Sequence, residues 1–180
     1  AWKDNPALLE EQIESPLYVV SLPRTGTSAL YNLLSEDPSH RPLLFWEGKY
    51  PNPIDVPEGE KDPRFVALRD ALSRARKNNP EFTAIHFTRA DGPEECVTLM
   101  ELAFDGAQQG MEPLMEPYGT WFRNHSLEPL YDDYRKLLST LQYQHPGERW
   151  LLKSPAHLWG LDQIIRLFPD ACIVQTHRNP

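Results

Sequence analysis

The stretch "YVVSLPRTGTSALYNLL", residues 18–34, constrains the fold more than any other part of the sequence. It opens with a short apolar, β-branched run that follows a proline, which predicts a buried strand. "TGTSALYNLL" then predicts a helix whose apolar face carries Ala29, Leu30, Leu33 and Leu34. A glycine turn between strand and helix gathers the first free amides of the helix, so this stretch predicts an anion-binding loop.

The loop differs from the nucleotide-binding P-loop, whose pattern is G-x-x-x-x-G-K-[ST]. Ser21 stands at the first glycine, Gly26 matches the second, Thr27 replaces the lysine and Ser28 matches the hydroxyl residue. A nucleoside triphosphate with magnesium uses that lysine and an aspartate after another apolar strand, and the sequence shows neither. The loop therefore indicates an anion other than magnesium-bound ATP.

The residues from Arg24 to Ser28 supply the groups that an anion needs. Gly26 lets the backbone turn closely, and the hydroxyl groups of Thr25, Thr27 and Ser28 are donors. Arg24 adds a planar, permanently charged fork. Because an ordinary helix cap needs fewer such groups, we predict that Arg24, Thr25, Gly26, Thr27 and Ser28 bind the anion.

The remaining sequence predicts an α/β fold with a parallel sheet flanked by helices. A second short strand is expected at Leu43–Trp46, before a proline-rich loop and a run of amphipathic helices. The end of the sequence, "RWLLKSPAHLWGLDQIIRLFPDACIVQTH", reads as strand, helix and strand, a unit whose strands are parallel. We predict a single α/β domain over residues 1–180, similar to P-loop folds, with a helical insertion at about residues 60–145.

Three motifs follow predicted strands: "PRTGTS", "KSPAH" and "HRNP". Ligands of parallel sheets bind beyond the carboxyl ends of the strands. We therefore expect Lys153, His157 and Arg178 to lie near the anion loop.

Composition excludes several classes of function. A net charge of −8 argues against binding to nucleic acid, which needs a basic face. No apolar run is long enough to span a bilayer. Cys96 and Cys172 show no metal-ligand spacing, so we expect reduced core thiols, no metal site and a cytoplasmic protein. The first residue is not methionine and the last follows a strand pattern, so we expect a C-terminally truncated part of a longer protein.

The two separated motifs together resemble one enzyme family. "LPRTGTSALYNLL" resembles the 5′-phosphosulfate loop of sulfotransferases that use 3′-phosphoadenosine 5′-phosphosulfate (PAPS). "LLKSPAHLWGLDQIIRLFPDACIVQTHRNP" is similar to the second half of these enzymes, with a lysine after a strand, a helix ending in "LFPDA", a strand and an arginine. The resemblance implies a bacterial-type sulfotransferase that moves a sulfuryl group from PAPS to an acceptor hydroxyl by in-line transfer.

The resemblance also implies roles for single residues. Arg24 to Ser28 would hold the 5′-phosphate and the sulfuryl group, and Lys153 would stabilise the charge on the departing bridging oxygen. Arg178 would bind the 3′-phosphate. In this family a serine several residues beyond that arginine shares the 3′-phosphate, and the sequence ends at Pro180, before such a position. PAPS is then the co-substrate, and no metal is required.

Transfer to a hydroxyl needs a general base, for which the sequence offers two candidates. Glu47 is the first, because it follows two aromatic residues that exclude water, and some family members use a glutamate at a similar distance after the loop. His157 is the second, because imidazole titrates near neutral pH. Glu94 and Glu95 are adjacent, and we interpret them as the charged start of a helix.

Two other functions remain open. One is a P-loop-like nucleotide kinase or nucleotidase with an altered loop, and the other is a catalytically inactive anion-binding domain. For a sulfotransferase, the expected acceptor is a sugar, a lipid alcohol or another small molecule, because a polyanion would need a basic groove. Trp46, Trp121 and Trp159 are candidates for the core or for an acceptor pocket and are not assigned.

Overall fold

A four-stranded parallel sheet forms the centre of the fold. The computed structural model of the protein describes residues 2–81, 88–103 and 116–178. The strands lie side by side in the order β2-β3-β1-β4, and each neighbouring pair is parallel. Their bounds are Leu17–Val19 (β1), His40–Pro42 (β2), Arg149–Lys153 (β3) and Cys172–Val174 (β4). The predicted α/β fold with a parallel sheet flanked by helices is confirmed.

The described helices connect these strands and cover the sheet. Their bounds are Thr27–Leu34 (α1), Phe45–Lys49 (α2), Pro63–Asn78 (α3), Val97–Met100 (α4), Glu116–Asn124 (α5), Glu128–Gln144 (α6) and Leu161–Leu167 (α7). Short 3₁₀ turns occupy Pro6–Leu9, Glu101–Ala103 and Pro155–Trp159. Helices α3 to α6 fall between β2 and β3, where we predicted a helical insertion. That the whole chain forms one domain stays a prediction.

The alternation of side chains along β1 gives the sheet two apolar faces. Leu17 and Val19 pack with Tyr31 of α1 on one face. Tyr18 and Val20 belong to the main core on the other face, together with residues of α6 and α7. In α1 the buried residues are Thr27 and Tyr31, whereas the side chain of Leu33 is 71% exposed. The predicted apolar face of α1 is therefore confirmed for Leu30 and Leu34, which pack against the cluster around Tyr31, and wrong for Ala29 and Leu33, which are exposed.

Two further predictions about the fold are wrong. The apolar run Leu43–Trp46 does not form the second strand, because β2 ends at Pro42 and Phe45 begins a helix. The carboxylate of Glu47 accepts the amide of Leu44 at 3.1 Å and so satisfies a free donor at the start of that helix. Cys96 is a buried free thiol as expected, but Cys172 is exposed.

The register of the sheet decides which loops meet. Val19 lies opposite Lys153 on one side and Val174 on the other. The strands β1, β3 and β4 therefore end at the same edge. The anion loop follows β1, Lys153 is the last residue of β3 and Arg178 follows β4, so the fold brings the three sequence motifs to one edge.

Candidate active site

The loop between β1 and α1 has an unusual backbone. Gly26 has a φ of +94° and Arg24 has a φ of +69°. Residues with a side chain rarely adopt the left-handed conformation of Arg24, and such conformations are concentrated at functional sites. The amide of Leu30 makes the first bond of the helix, to the carbonyl oxygen of Gly26 at 3.1 Å. The amides of Thr27 and Ser28 precede it, so they have no acceptor within the helix and are available to an anion.

The hydroxyl group of Thr25 ties the loop to the neighbouring segment after β4. Its Oγ1 donates to the carbonyl oxygen of Leu22 at 2.8 Å and lies 2.9 Å from Oγ1 of Thr176. The Ser21 hydroxyl donates to the backbone oxygen of Thr176. These bonds support the shape of the loop, and the predicted role of Thr25 as a donor to the anion stays a prediction.

A small cavity of about 220 Å³ opens over the loop. Its described lining consists of Arg24, Gly26, Thr27, Ser28, Ala29 and Arg178. Nη1 of Arg178 donates to the backbone oxygen of Arg24 at 3.4 Å. Two guanidinium groups beside the start of a helix give this cavity the charge and the donors that an anion with several oxygens requires.

Lys153 joins this loop to the end of β3. Its side chain is only 4% exposed. Nζ donates to Oγ of Ser28 at 3.0 Å and pairs with Oε1 of Glu95 at 2.6 Å. Because a buried ammonium group is costly unless it is paired, these contacts fix Lys153 at the loop. The fold thus brings Lys153 to the loop from far away in sequence, and its catalytic role stays a prediction.

A larger cavity of about 650 Å³ lies on the other side of this contact. Ser28 lines both cavities, so they adjoin at this residue. The larger cavity is also lined by Tyr31, Asp91, Glu94, Glu95 and Lys153. The lining therefore holds Lys153 together with the carboxylate that pairs with it, Glu95.

Glu95 is a site residue that sequence reasoning missed. We interpreted Glu94 and Glu95 as the start of a helix, but the helix begins at Val97. The contact of Glu95 with Lys153 depends on how the segment packs against the end of β3. A pair of adjacent acidic residues in the sequence carries no signal of such a contact.

Glu47 lies in a buried ion pair. Its carboxylate accepts Nη2 of Arg41 at 2.9 Å and Nη1 at 3.2 Å. The Arg41 guanidinium lies 3.8 Å from the ring of Trp150. Glu47 is absent from the described lining of either cavity. Its neighbour Leu44 lines the larger cavity, but the described contacts of Glu47 do not include the loop or Lys153, so its role as base stays a prediction.

His157 lies inside the core rather than in a cavity. Its side chain is fully buried. Nδ1 is 3.0 Å from the Tyr131 hydroxyl, and the ring meets that of Tyr18 edge-on at 5.1 Å. Burial lowers the pKa of His157 to about 3. Nε2 has no hydrogen-bond partner among the described residues. His157 is therefore neutral and inaccessible, which counts against its predicted role as base.

The other candidate residues give a mixed result. Trp46 is buried, while Trp121 and Trp159 are exposed. Within the described residues, no three His, Cys, Asp or Glu side chains are grouped to hold a metal ion. No helix in the described part of the chain combines the length and the apolar character needed to cross a membrane.

Comparison with known proteins shows what the chain is similar to. The family described as "Sulfotransferase family" matches residues 16–180. The solved structure of sulfotransferase STF1 from Mycobacterium tuberculosis has 34% sequence identity and a TM-score of 0.87, covering 99% of this chain and 49% of that one. Sulfotransferase STF9 from Mycobacterium avium has 32% identity and a TM-score of 0.81, covering 99% of this chain and 46% of that one. The chain thus spans about half the length of both structures. No curated protein sequence matches it significantly.

Replacement of Glu47 by Gln is expected to weaken folding rather than chemistry. The variant leaves the largely buried Arg41 charge without its carboxylate, which costs about 3–5 kcal/mol of unfolding free energy. Chemical denaturation of the wild type, Glu47→Gln and the double variant Glu47→Gln/Arg41→Met measures this, and the double variant should recover part of the loss. Wild-type stability in Glu47→Gln with loss of sulfuryl transfer would return Glu47 to the role of base.

The buried His157 is expected to make stability depend on pH. Its pKa in the folded state, about 3, lies below the ordinary value of 6.5. Between these values the unfolded chain binds a proton that the folded chain does not, so stability falls as the pH is lowered, by up to about 1.4 kcal/mol per pH unit. Urea denaturation at pH 7.0, 5.5 and 4.5 should show a smaller decline for His157→Phe than for the wild type. Equal declines would contradict this account of His157.

Proposed function

The chain belongs to the sulfotransferase family, and on that premise we propose that it moves a sulfuryl group from PAPS to the hydroxyl group of an acceptor. The observation that carries this proposal is the 3.0 Å contact between Nζ of Lys153 and Oγ of Ser28. That contact lies where the two cavities meet, so a cation lies beside the junction of an anion site and a larger space. Group transfer between two substrates needs such a junction.

The smaller cavity is the proposed site of the donor. The amides of Thr27 and Ser28 and the Arg24 guanidinium would bind the 5′-phosphate and the sulfuryl group. Arg178, which lines the same cavity, would bind the 3′-phosphate through its planar fork. The backbone of Gly26 and the bonds of Thr25 hold the loop in shape before the donor arrives. This reduces the ordering that binding would otherwise require.

The reaction then follows from the contacts of Lys153. The acceptor oxygen forms a bond to sulfur while the bond between sulfur and the bridging oxygen of the 5′-phosphate breaks. Adenosine 3′,5′-bisphosphate leaves with that electron pair, and the acceptor proton passes to a base. Lys153 is largely shielded from water, so its charge acts strongly on the bridging oxygen as negative charge develops there.

The family supports this function over the two alternatives. A kinase loop has its lysine at the position of Thr27, and here the cation comes from β3 instead. The neighbouring carboxylate at Lys153 and the space beyond it fit a second substrate, which an inactive anion-binding domain would not need.

We propose a sugar, a lipid alcohol or another small molecule as the acceptor. The unpaired state of both cysteines supports a cytoplasmic location.

Calorimetric titration of the protein in its full natural length is expected to show binding of adenosine 3′,5′-bisphosphate and little binding of magnesium ATP. Loss of the charge-assisted bonds of Arg24 in Arg24→Ala should weaken bisphosphate binding roughly 10- to 100-fold. Arg69→Ala is the matched control, because Arg69 is an exposed arginine paired with Asp70 on α3, and it should leave the affinity unchanged. A preference for magnesium ATP would contradict the proposed function and favour a kinase.

A further inference from the structure

The larger cavity leads to an inference about the acceptor that rests on the proposed function. We propose that this cavity is the acceptor site and that Glu95 is the general base that takes the proton from the acceptor hydroxyl. The inference starts from the contacts of Glu95. Glu95 contacts Lys153, whereas no described contact joins Glu47 or His157 to Lys153.

The backbone around Glu95 is held in place from two sides. The amide of Glu94 donates to the carbonyl oxygen of Leu43 at 2.8 Å, and the amide of Cys96 donates to that of Lys153 at 2.9 Å. The buried Tyr31 hydroxyl donates to the backbone oxygen of Glu94 at 3.2 Å. Glu95 therefore stands on a short, fixed segment between the chain after β2 and the end of β3. Such fixed support is what a group that must meet a reacting atom requires.

The Glu95 carboxylate also lies where a base is needed, beside Lys153 in the lining of the larger cavity. Lys153 Nζ contacts Ser28 on the donor side and Oε1 of Glu95 on the other side. The Glu95 side chain is 30% exposed, so the acceptor can reach it. When the donor occupies the loop, the positive charge of Lys153 is shared with the bridging oxygen, and Glu95 is left beside the sulfuryl group with oxygens free to accept a proton.

The other charged groups that line the cavity have different contacts. Asp91 pairs with Arg89 at 3.0 Å. The Glu94 carboxylate accepts the amide of Glu95 at 2.9 Å. Glu36 lies exposed in the turn after α1. Of these described carboxylates, Glu95 has the contact with Lys153 that links it to the reacting centre.

The proton and electron balance is complete with these groups. The acceptor O–H bond breaks, its proton moves to the Glu95 carboxylate, and its electrons form the bond from oxygen to sulfur. The bisphosphate leaves with the electrons of the bond that breaks, and its charge is stabilised by Lys153. Glu95 afterwards gives the proton to water. The carboxylates in the lining also favour an uncharged, hydroxyl-rich acceptor over an anionic one.

Replacement of Glu95 by Gln distinguishes two roles of this residue, that of a base and that of a group that only positions Lys153. The amide oxygen of Gln still accepts a hydrogen bond from Lys153, but Gln cannot take a proton. We expect kcat for release of labelled sulfuryl groups from PAPS to fall about 10²- to 10⁴-fold, with water and with octyl glucoside as acceptors. Bisphosphate affinity should stay within about threefold of the wild type. Glu95→Asp should retain part of the activity.

The control is Glu101→Gln, because Glu101 is a similarly half-exposed glutamate paired with Lys49 outside both cavities, and it should have wild-type kcat. The acidic limb of the pH profile of kcat/KM should also disappear in Glu95→Gln, whereas a purely positioning role would preserve it. Full activity of Glu95→Gln, or a retained acidic limb, would overturn this inference and leave the proposed function standing.

Two results with the wild type distinguish the remaining failures. Absence of bisphosphate binding would overturn the proposed function and the inference with it. Binding of the bisphosphate without sulfuryl release to either acceptor would overturn the proposed function in favour of an inactive anion-binding domain, and the inference with it.

Discussion

The hydrogen bond between Lys153 and Ser28 is the contact on which the candidate site depends. It exists because β1 and β3 are parallel neighbours with Val19 opposite Lys153. In that register, the loop after β1 and the last residue of β3 reach the same edge of the sheet. A shift of one residue would turn the Lys153 side chain to the other face of the sheet and separate the cation from the loop.

The buried polar groups of the core contribute no net charge. In the core, Tyr18, Tyr131 and Tyr134 surround His157, and burial raises the pKa of each tyrosine hydroxyl while it lowers that of the histidine. This layer is uncharged at neutral pH. The charges of Glu47 and Arg41 offset each other within the protein. Lys153 and Glu95 are thus a charged pair that faces open space, where substrates can use it.

The sequence predicted the parts of the site that local patterns determine. The strand, glycine turn and helix around Gly26 follow from residues close together in the chain, and the strands around Lys153 and Cys172 follow from apolar runs. The structure differs where tertiary contacts decide. Leu43–Trp46 has the composition of a strand, but the Glu47 carboxylate caps a helix there. Glu95 contacts Lys153 through packing of distant segments, and no local pattern encodes that contact.

A crystal structure of the protein in its full natural length with adenosine 3′,5′-bisphosphate is the most direct measurement of the central claim. The account predicts the 5′-phosphate at the amides of Thr27 and Ser28, with Nζ of Lys153 within hydrogen-bond distance of a phosphate oxygen. It also predicts the 3′-phosphate at Arg178. A bisphosphate bound elsewhere, or one that leaves Lys153 without a contact to the 5′-phosphate, would contradict the account.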